Sequence, residues 1–434
     1  MIEAVNKYLL GAAVPLVLVV FGIYFGFLLG WFHLLHPVRT VRLALRGGGK
    51  KAFSSLTLAL AGTLGVGNLV GVAAAIAGGG AGAVFWMWIS ALFAMILKYA
   101  EIVLAMRHKR LDKEGRERGA AMYYIYDGFA KRGYKPFGGF LAAVFACLLT
   151  LNALTMGSLI QSEAACDALQ LSFSIPKPLT SAVLGIAALW VMLRGSDKLM
   201  KLTEKAVPPM TLCVLLLSVA VLAVRVGEIP SALARIIGEA FDPRAAAGGI
   251  FGFLLSDALR LGTMRGLISN EAGCGTSPTA HAESDTKSPA AQGVFGIFEV
   301  FVDTILLCTV TALVIIVSGV PLEGASFMEI TVSAYSAVLG QWSAYVMSAA
   351  VLCFGFATVL CWSHYGAAGV SYLSERPVVK KIFCGVYALS VFLGGISVSG
   401  LSWQLADLAI GMMTVINLFA LFLMRKEIKE ETVI

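Results

Sequence analysis

Long apolar runs separated by short polar connections fill this chain from its first residues to its last. An α-helix needs about 20 mostly apolar residues to cross the hydrocarbon core of a bilayer. Eleven runs have about this length and character, near 9–35, 54–78, 81–106, 137–162, 178–194, 206–226, 246–268, 290–319, 342–373, 379–399 and 401–424. The pattern predicts an all-α membrane protein with eleven spans.

Two of these runs, near 54–78 and 246–268, are interrupted by glycine and polar residues. Residues 1–50 would hold an extra N-terminal span and a cytoplasmic connection. The other ten spans divide into halves, 51–228 and 229–434, and each half opens with an interrupted helix. Because five spans is an odd number, the halves would have opposite orientations, as in the 5+5 inverted repeats of many secondary transporters. The alternative is a coincidence, since glycine is common in membrane helices.

The basic residues test this arrangement. Most of the 33 Lys and Arg residues lie in alternate connections, such as those near 39–51, 107–135 and 194–205. Cytoplasmic loops of membrane proteins carry an excess of Lys and Arg. The distribution therefore predicts a multi-pass inner-membrane protein with its N-terminus outside and its C-terminus in the cytoplasm. It also explains the net charge of +7 without any binding of nucleic acid.

The composition agrees with a lipid environment, because 58% of the residues are hydrophobic and only 14% are charged, against about 25% charged in soluble domains. The eight cysteines form no CxxC pair or Cys/His ligand pattern, so neither a disulfide framework nor a zinc site is indicated. P-loop, GxSxG and HExxH motifs are absent from the sequence. An intramembrane enzyme built on Ser269, Glu271 and His281 would lack a recognisable base–nucleophile spacing.

The first interruption reads GTLGVGNLVG at 62–71. Unwinding there frees backbone groups that lipid cannot satisfy. Free carbonyls suit a sodium ion, because hard cations prefer oxygen ligands, and free amides at the start of a half-helix suit a substrate carboxylate. Asn68 could offer its amide oxygen to a cation. The alternative is a glycine-lined packing face, with Asn68 bonded to a neighbouring helix.

The second interruption, at 262–278, contains glycines and charged residues that cannot cross lipid as an ordinary helix. Arg265 and Glu271 could pair at its cytoplasmic edge, as a gate or a helix anchor. Lys98 and Glu101 are expected at the cytoplasmic end of their own span, where long side chains reach the interface at little cost.

Several segments, in order along nearly the whole chain, resemble the alanine or glycine:cation symporter family. They are GTLGVGNLVGVA at 62–73, VFWMWISALFAMILKYAE at 84–101, GLISNEAGCGTSPTAHA at 266–282, FVDT at 301–304, FATVLCWSHYG at 356–366 and LADLAIGMMTVINL at 405–418. SNEAGxG is the most specific of them. The family is similar in architecture to the leucine-transporter fold, which implies ten core helices and, here, one extra N-terminal span.

The resemblance implies roles for particular residues. Gly65 and Gly67 would present backbone groups to the substrate carboxylate, while Gln161 would be a pocket residue and Trp362 a pocket wall. The remaining residues would serve the ions: Thr63, Asn68 and Thr263 beside one sodium, which adjoins the substrate, and the carbonyls of Ala61 and Leu64 with the Thr358 hydroxyl at a second sodium.

The chain departs from the family pattern at five positions, Glu163, Cys274, Ala357, Cys361 and Ile410. Ala357 removes a usual hydroxyl beside Thr358, and Cys361 replaces a usual glycine and could narrow the pocket. Glu163 and Ile410 each replace a usual asparagine. These changes leave the substrate and the number of sodium ions open.

The sequence thus predicts sodium-coupled symport of a small neutral amino acid, alanine or glycine, by alternating access. Its partners would be the amino acid, sodium and the lipid bilayer, with no obligate protein partner and no enzymatic activity. One alternative is a proton-coupled carrier on the same fold, with Glu163 or Asp303 as the titrating group. Asp303 and Glu299, one turn apart, could form a proton relay, but hydrogen-bonded helix contacts are the favoured interpretation. A second alternative is an amino-acid sensor that does not transport.

Overall fold

The computed structural model describes residues 6, 13–47, 51–111, 117–241, 256–396 and 400–432. The starts of the predicted spans near 9–35 and 246–268, and the end of the span near 379–399, lie outside these residues. So do several of the basic residues that were counted for the predicted orientation, among them Lys50 on the cytoplasmic side and Lys7 and Arg244 on the outer side.

Helices make up nearly all of the described chain. The helices that precede residue 229 are α1 (Val14–Leu28), α2 (Phe32–Leu35), α3 (Pro37–Gly47), α4 (Ala52–Thr63), α5 (Val70–Gly79), α6 (Gly82–Arg107), α7 (Ala121–Ala130), α8 (Lys135–Leu154), α9 (Ile160–Phe173), α10 (Lys177–Met192) and α11 (Ser196–Val224). The second half contains α12 (Ile229–Ala240), α13 (Asp257–Asn270), α14 (Pro278–His281), α15 (Pro289–Val300), α16 (Thr309–Ser318), α17 (Phe327–Leu339), α18 (Gln341–Leu373), α19 (Pro377–Ile396), α20 (Gly400–Leu423) and α21 (Arg425–Glu431).

Short irregular helical turns join some of these helices. A 3₁₀ turn at Val66–Asn68 lies between α4 and α5, and another at Val226–Glu228 precedes α12. Wider π-helical turns at Thr155–Leu159 and Phe301–Cys308 make α8 continuous with α9 and α15 continuous with α16. Such π turns are rare and occur frequently at functional sites.

Within the described residues, seven helices are long and apolar enough to cross a membrane, and the bent pair α4–α5 gives an eighth candidate. Helices α1, α10 and α17 are apolar but shorter. Each predicted apolar run coincides with a helix wherever the chain is described, while the number of crossings stays a prediction. Helix α17 is not predicted by the apolar pattern, because its 13 residues are too few for a span.

Helix α6 lies at the centre of the bundle. Its apolar window is 83% buried, more than in any other candidate span of the described chain. It packs against α13 and α15 on one side and α1 and α12 on others. Neighbouring helices therefore cover most of α6, and α6 is the scaffold against which the second interrupted helix is held.

Charged side chains gather where α6 ends, beside a two-stranded hairpin of β1 (Arg110–Leu111) and β2 (Glu117–Arg118). The two ring nitrogens of His108 lie 2.7 Å from a carboxyl oxygen of Asp127 and 3.1 Å from one of Glu427. Lys131 also donates to Glu427, at 2.8 Å. These contacts fasten α21 across the ends of α6 and α7, on the face that the basic residues predict to be cytoplasmic.

Candidate substrate and ion site

The first interrupted helix bends by 60° between α4 and the segment that begins at Val66. Leu64 leaves the helical conformation with φ −74° and ψ 62°, and Gly65 is extended with ψ −157°. The Gly65 amide donates to the Thr63 carbonyl at 2.8 Å, and the Val66 amide donates to the Gln161 side chain at 3.2 Å. The break is therefore buried and partly satisfied by α9, as a midplane break in lipid requires.

Gly65 is required by close packing. A Cβ atom at this position would lie 2.7 Å from the Thr358 hydroxyl and 3.0 Å from the Gln161 side-chain oxygen. The same test at Gly67 finds only the Ser269 backbone, at 3.7 Å. The two glycines thus differ: the first lets α9 and α18 approach the break, and the second leaves space beside it.

Thr358 reaches the first break from α18. Its hydroxyl donates to the Ala61 carbonyl at 2.8 Å, and the side chain is almost wholly buried. Since that hydroxyl hydrogen is used, the lone pairs of the oxygen remain available to a cation. The structure brings Thr358 and Ala61 together, with Leu64 at the bend one turn beyond Ala61. Ala357, also buried, contributes no oxygen.

Asn68 is tied to Asp303 on the π-helical turn. Its side-chain amide donates to an Asp303 carboxyl oxygen at 2.6 Å and to the Asp303 backbone carbonyl at 3.1 Å. Ser269 and Thr304 donate to the other carboxyl oxygen at 2.8 and 2.7 Å. The amide oxygen of Asn68 is buried without a partner in the described residues. Side chains from the first break and from α13 therefore meet at the Asp303 carboxylate, and the Asn68 amide oxygen beside it is left without a donor.

The contacts of Thr63 and Thr263 bear less directly on their predicted roles beside the sodium ion. The Thr63 hydroxyl is 3.4 Å from the Ala59 carbonyl in its own helix, although its backbone carbonyl lies at the break. Thr263 is buried on α13, and it precedes Ser269 by roughly 9 Å along the helix axis. Its predicted proximity to the ion and the substrate stays a prediction.

A cavity of about 280 Å³ lies beside the first break. Gly67 and Gln161 line it at the break, and Arg265, Trp403 and Asp407 line it elsewhere. The cavity thus joins one side of the interrupted helix to charged residues of α13 and α20. A small concave space with a few convergent polar groups is the usual form of a ligand site.

Trp362 and Cys361 face other parts of the molecule. The Trp362 side chain packs directly on Gly157 and is fully buried, with its ring 5.4 Å from that of Tyr365. The Cys361 sulfur lies against Gly62, where an added Cβ would approach it to 3.0 Å. Neither residue is among those that line the cavity, so neither bounds it as the sequence suggested.

The second break follows α13, where Glu271 takes a left-handed conformation with φ 52°. L-residues rarely adopt this region, and here it turns the Glu271 carboxyl toward Thr276, which donates to it at 2.7 Å. The expected pair between Arg265 and Glu271 is not seen. Arg265 instead lies over the Trp403 ring at 5.9 Å and is attracted by Asp407.

The sequence predicts that Lys98 reaches the membrane interface, and this prediction is wrong. Lys98 is fully buried, donates to the Asn270 carbonyl at 2.7 Å and pairs with Glu299 at 3.1 Å. A cation at a helix C-terminus is favourable because of the helix dipole, so Lys98 stabilises the end of α13 at the break. Glu101 is also buried, and it accepts from the Gly275 amide at 3.0 Å.

Comparison with known proteins agrees with this arrangement of two interrupted helices and a cavity between them. The sequence model of the sodium:alanine symporter family matches residues 1–433. The chain belongs to the sodium:alanine symporter family. This is a family of transporters rather than of enzymes, and it carries amino acids together with cations.

Named relatives extend over nearly the whole chain. The sodium/alanine symporter AgcS of Methanococcus maripaludis is 32% identical over 446 residues, which cover 100% of this chain and 96% of that protein. The probable sodium/glutamine symporter GlnT of Bacillus subtilis is 33% identical over 432 residues, which cover 97% and 87%. The uncharacterized transporter YaaJ of Escherichia coli is 32% identical over 436 residues, covering 97% and 89%.

Solved structures support the fold. MhsT in complex with L-phenylalanine aligns with a TM-score of 0.57 at 13% identity, covering 87% of this chain and 88% of MhsT. A mutant manganese transporter of Eremococcus coleocola aligns with a TM-score of 0.51 at 16% identity, covering 85% and 76%. These neighbours have the leucine-transporter fold, so the predicted fold class is confirmed.

Asp303 lies at the candidate ion site, but the sequence alone did not assign it to that site. Asp303 stood out as an acid within an apolar helix, but its contact with Asn68 joins residues 235 positions apart. The FVDT segment was the available signal. The π-helical turn at 301–308 frees the Asp303 carbonyl for Asn68, and periodicity in the sequence does not reveal such a turn.

Proposed function

We propose that this protein couples the uptake of a small neutral amino acid, such as alanine or glycine, to the entry of sodium across the inner membrane. Alternating access would expose the cavity beside the first break to each side in turn. Each sodium ion that enters gains about 2.3 kcal/mol per 100 mV of membrane potential, which would drive accumulation of the amino acid.

The unpartnered amide oxygen of Asn68 is the observation that carries the sodium proposal. A buried acceptor without a donor costs about 1–3 kcal/mol, and a cation would remove that cost. The Asp303 carboxylate, bonded to the same side chain, would supply the compensating charge. Thr63 and Thr263 would complete this sodium site, while Ala61, Leu64 and Thr358 would form a second.

The substrate would lie in the cavity next to Gly67 and Gln161. Its carboxylate would meet backbone groups at the break, including those of Gly65 and Gly67, because half-helix N-termini favour negative charge. Trp362 would act indirectly, by packing α18 against Gly157 in the π-helical turn between α8 and α9.

The two five-helix halves, 51–228 and 229–434, would form the inverted repeat, preceded by the extra helix in residues 1–50. The N-terminus would lie outside and the C-terminus in the cytoplasm, as the basic loops indicate. The charged cluster at α21 would then face the cytoplasm.

The test is uptake of radiolabelled alanine into proteoliposomes that contain the purified protein, with sodium and proton gradients imposed separately. Accumulation should follow an inward sodium gradient and stay at background with a proton gradient alone. Accumulation driven by protons without sodium would support the proton-coupled alternative, in which Asp303 or Glu163 carries the proton. Binding of alanine without accumulation under either gradient would support a sensor.

A further inference from the structure

Two residues of opposite charge face the 280 Å³ cavity without forming an ion pair. Arg265 comes from α13 and Asp407 from α20, and both line the cavity. Their side chains carry opposite charges, yet no salt bridge between them is formed in the described part of the chain. The same cavity reaches Gly67 and Gln161 at the first break.

The guanidinium group has unused hydrogen-bonding capacity. The Arg265 Nε atom is buried and has no acceptor among the described residues. Its guanidinium carbon lies 5.9 Å from the centroid of the Trp403 ring, and a ring face offers the Nε–H group no oxygen acceptor. Buried polar groups normally find partners, so this N–H group is poised for an acceptor that the described residues do not supply.

Asp407 offers the opposite chemistry on the same cavity wall, since a carboxylate only accepts hydrogen bonds. A ligand group that satisfies both residues must therefore present an acceptor to Arg265 and a donor to Asp407. A primary carboxamide has one carbonyl oxygen and one NH₂ group on the same carbon. A carboxylate would satisfy Arg265 but would be repelled by Asp407, and an ammonium group would meet the reverse problem.

The volume of the cavity also favours a substrate side chain longer than that of alanine. If the substrate carboxylate lies at the break near Gly67, an alanine methyl group would leave the region between Arg265 and Asp407 to water. A longer side chain could extend from the break to these two residues within the 280 Å³ available. Cys361 and Trp362, the residues expected to narrow the pocket, lie elsewhere.

We propose that Arg265 and Asp407 recognise the side-chain carboxamide of the substrate, so that the carrier prefers glutamine to other neutral amino acids of similar length. The inference rests on the proposed amino-acid transport and extends its substrates to a neutral amino acid with a carboxamide side chain. A site that hydrogen-bonds a substrate group rejects analogues that lack the group, because its own polar atoms are then left unpaired.

The first experiment measures sodium-driven uptake of radiolabelled alanine by the wild-type protein in proteoliposomes, with unlabelled competitors. Methionine matches glutamine in length but lacks the carboxamide, and glutamate replaces the carboxamide with a charge. Glutamine should inhibit at a concentration roughly tenfold or more below that of methionine, the scale of one hydrogen bond to a charged group, and glutamate should inhibit poorly. Equal inhibition by methionine and glutamine would overturn the inference.

The second experiment compares Arg265→Gln and Asp407→Asn with Arg235→Gln, a matched control at an exposed arginine on α12. The readout is the ratio of the inhibition constants of glutamine and alanine. Both site variants should raise this ratio by roughly tenfold, and the control should leave it at the wild-type value. A loss of glutamine and alanine affinity by the same factor would overturn the inference, because the charges would then act on the conformational change alone.

The competitor panel uses only the wild-type protein, so it decides the question even if a variant fails to fold. Alanine uptake without preference for glutamine would sink this inference and leave the proposed transport intact. Absence of sodium-driven uptake of either amino acid would sink both.

Discussion

Replacing Thr358 with alanine tests the second sodium site without changing the substrate cavity. The hydroxyl lies 2.8 Å from the Ala61 carbonyl, and its remaining lone pairs could reach an ion beside that carbonyl. Because Ala357 contributes no oxygen, Thr358 is the nearest hydroxyl on this stretch of α18. A lost oxygen ligand on a desolvated ion costs about 1.5–3 kcal/mol, taken from hydrogen bonds to charged groups. That corresponds to a roughly ten- to hundredfold higher sodium concentration for half-maximal uptake.

The assay is initial alanine uptake against external sodium concentration for the wild type, Thr358→Ala and Thr358→Ser. The serine variant keeps the hydroxyl and should retain most of the sodium affinity. Ala357→Ser adds a second hydroxyl and should lower the half-maximal sodium concentration if its rotamer reaches the ion. The hydroxyl also ties α18 to the first break, so the thermal midpoint of each variant is measured beside its uptake. An unchanged sodium curve for Thr358→Ala, with or without a lower midpoint, would refute the ion site and leave Thr358 as a packing contact.

Four further changes probe other parts of the account. Asp303→Asn should raise the sodium requirement at least tenfold by removing the compensating charge, and an unchanged requirement would exclude the carboxylate from the ion site. Gly67→Leu should abolish alanine binding in a protein that stays monodisperse, whereas normal binding would make the glycine only a packing residue. Lys98→Met removes the ammonium group from its buried pair with Glu299, and breaking a buried ion pair costs about 3–5 kcal/mol, so the thermal midpoint should fall sharply; an unaltered midpoint would contradict the capping role. Burial would raise the pKa of Glu427, but hydrogen bonds from Lys131 and His108 outweigh it and lower that pKa. The stability it contributes is present above the usual glutamate range, near 4.3, and is lost as the pH falls through the lowered value, so Glu427→Gln should flatten the acid side of the stability profile.

The helices could be predicted from the sequence because each apolar run is long enough to identify a span without knowledge of its neighbours. The first break was equally visible, since GTLGVGNLVG places four glycines and an asparagine inside such a run. Helix α17 could not be found in this way, because 13 residues fall short of a membrane crossing. Its role depends on where it packs, which the sequence pattern does not contain.

The charged residues were harder to predict for a physical reason. Position near the end of an apolar run suggested that Lys98 reaches the interface, but Asn270 and Glu299 come to it from distant segments and satisfy it inside the bundle. The pair between Arg265 and Glu271 looked plausible by spacing. The left-handed conformation of Glu271 ends the helix and turns its side chain away, and a spacing argument assumes that the helix continues.

The contacts of the candidate ion site could be predicted from the sequence only in part. The family resemblance brought Asn68, Thr358 and Ala61 into consideration, and the structure shows which atoms meet. Thr358 does lie on the Ala61 carbonyl. Asp303, in contrast, contacts Asn68 from a π-helical turn. The sequence favoured a hydrogen-bonded helix contact for Asp303 over a proton relay and did not indicate the contact with Asn68.

The central claim is that sodium and the amino acid cross the membrane together, and paired fluxes test it most directly. Proteoliposomes without an initial sodium gradient are given an inward gradient of unlabelled alanine or glutamine, and the entry of radiolabelled sodium is followed. Coupled transport predicts that the amino-acid gradient alone drives sodium inward, in a fixed ratio to the amino acid taken up, and that Thr358→Ala weakens this flux at low sodium. Entry of the amino acid with no accompanying sodium would contradict the account.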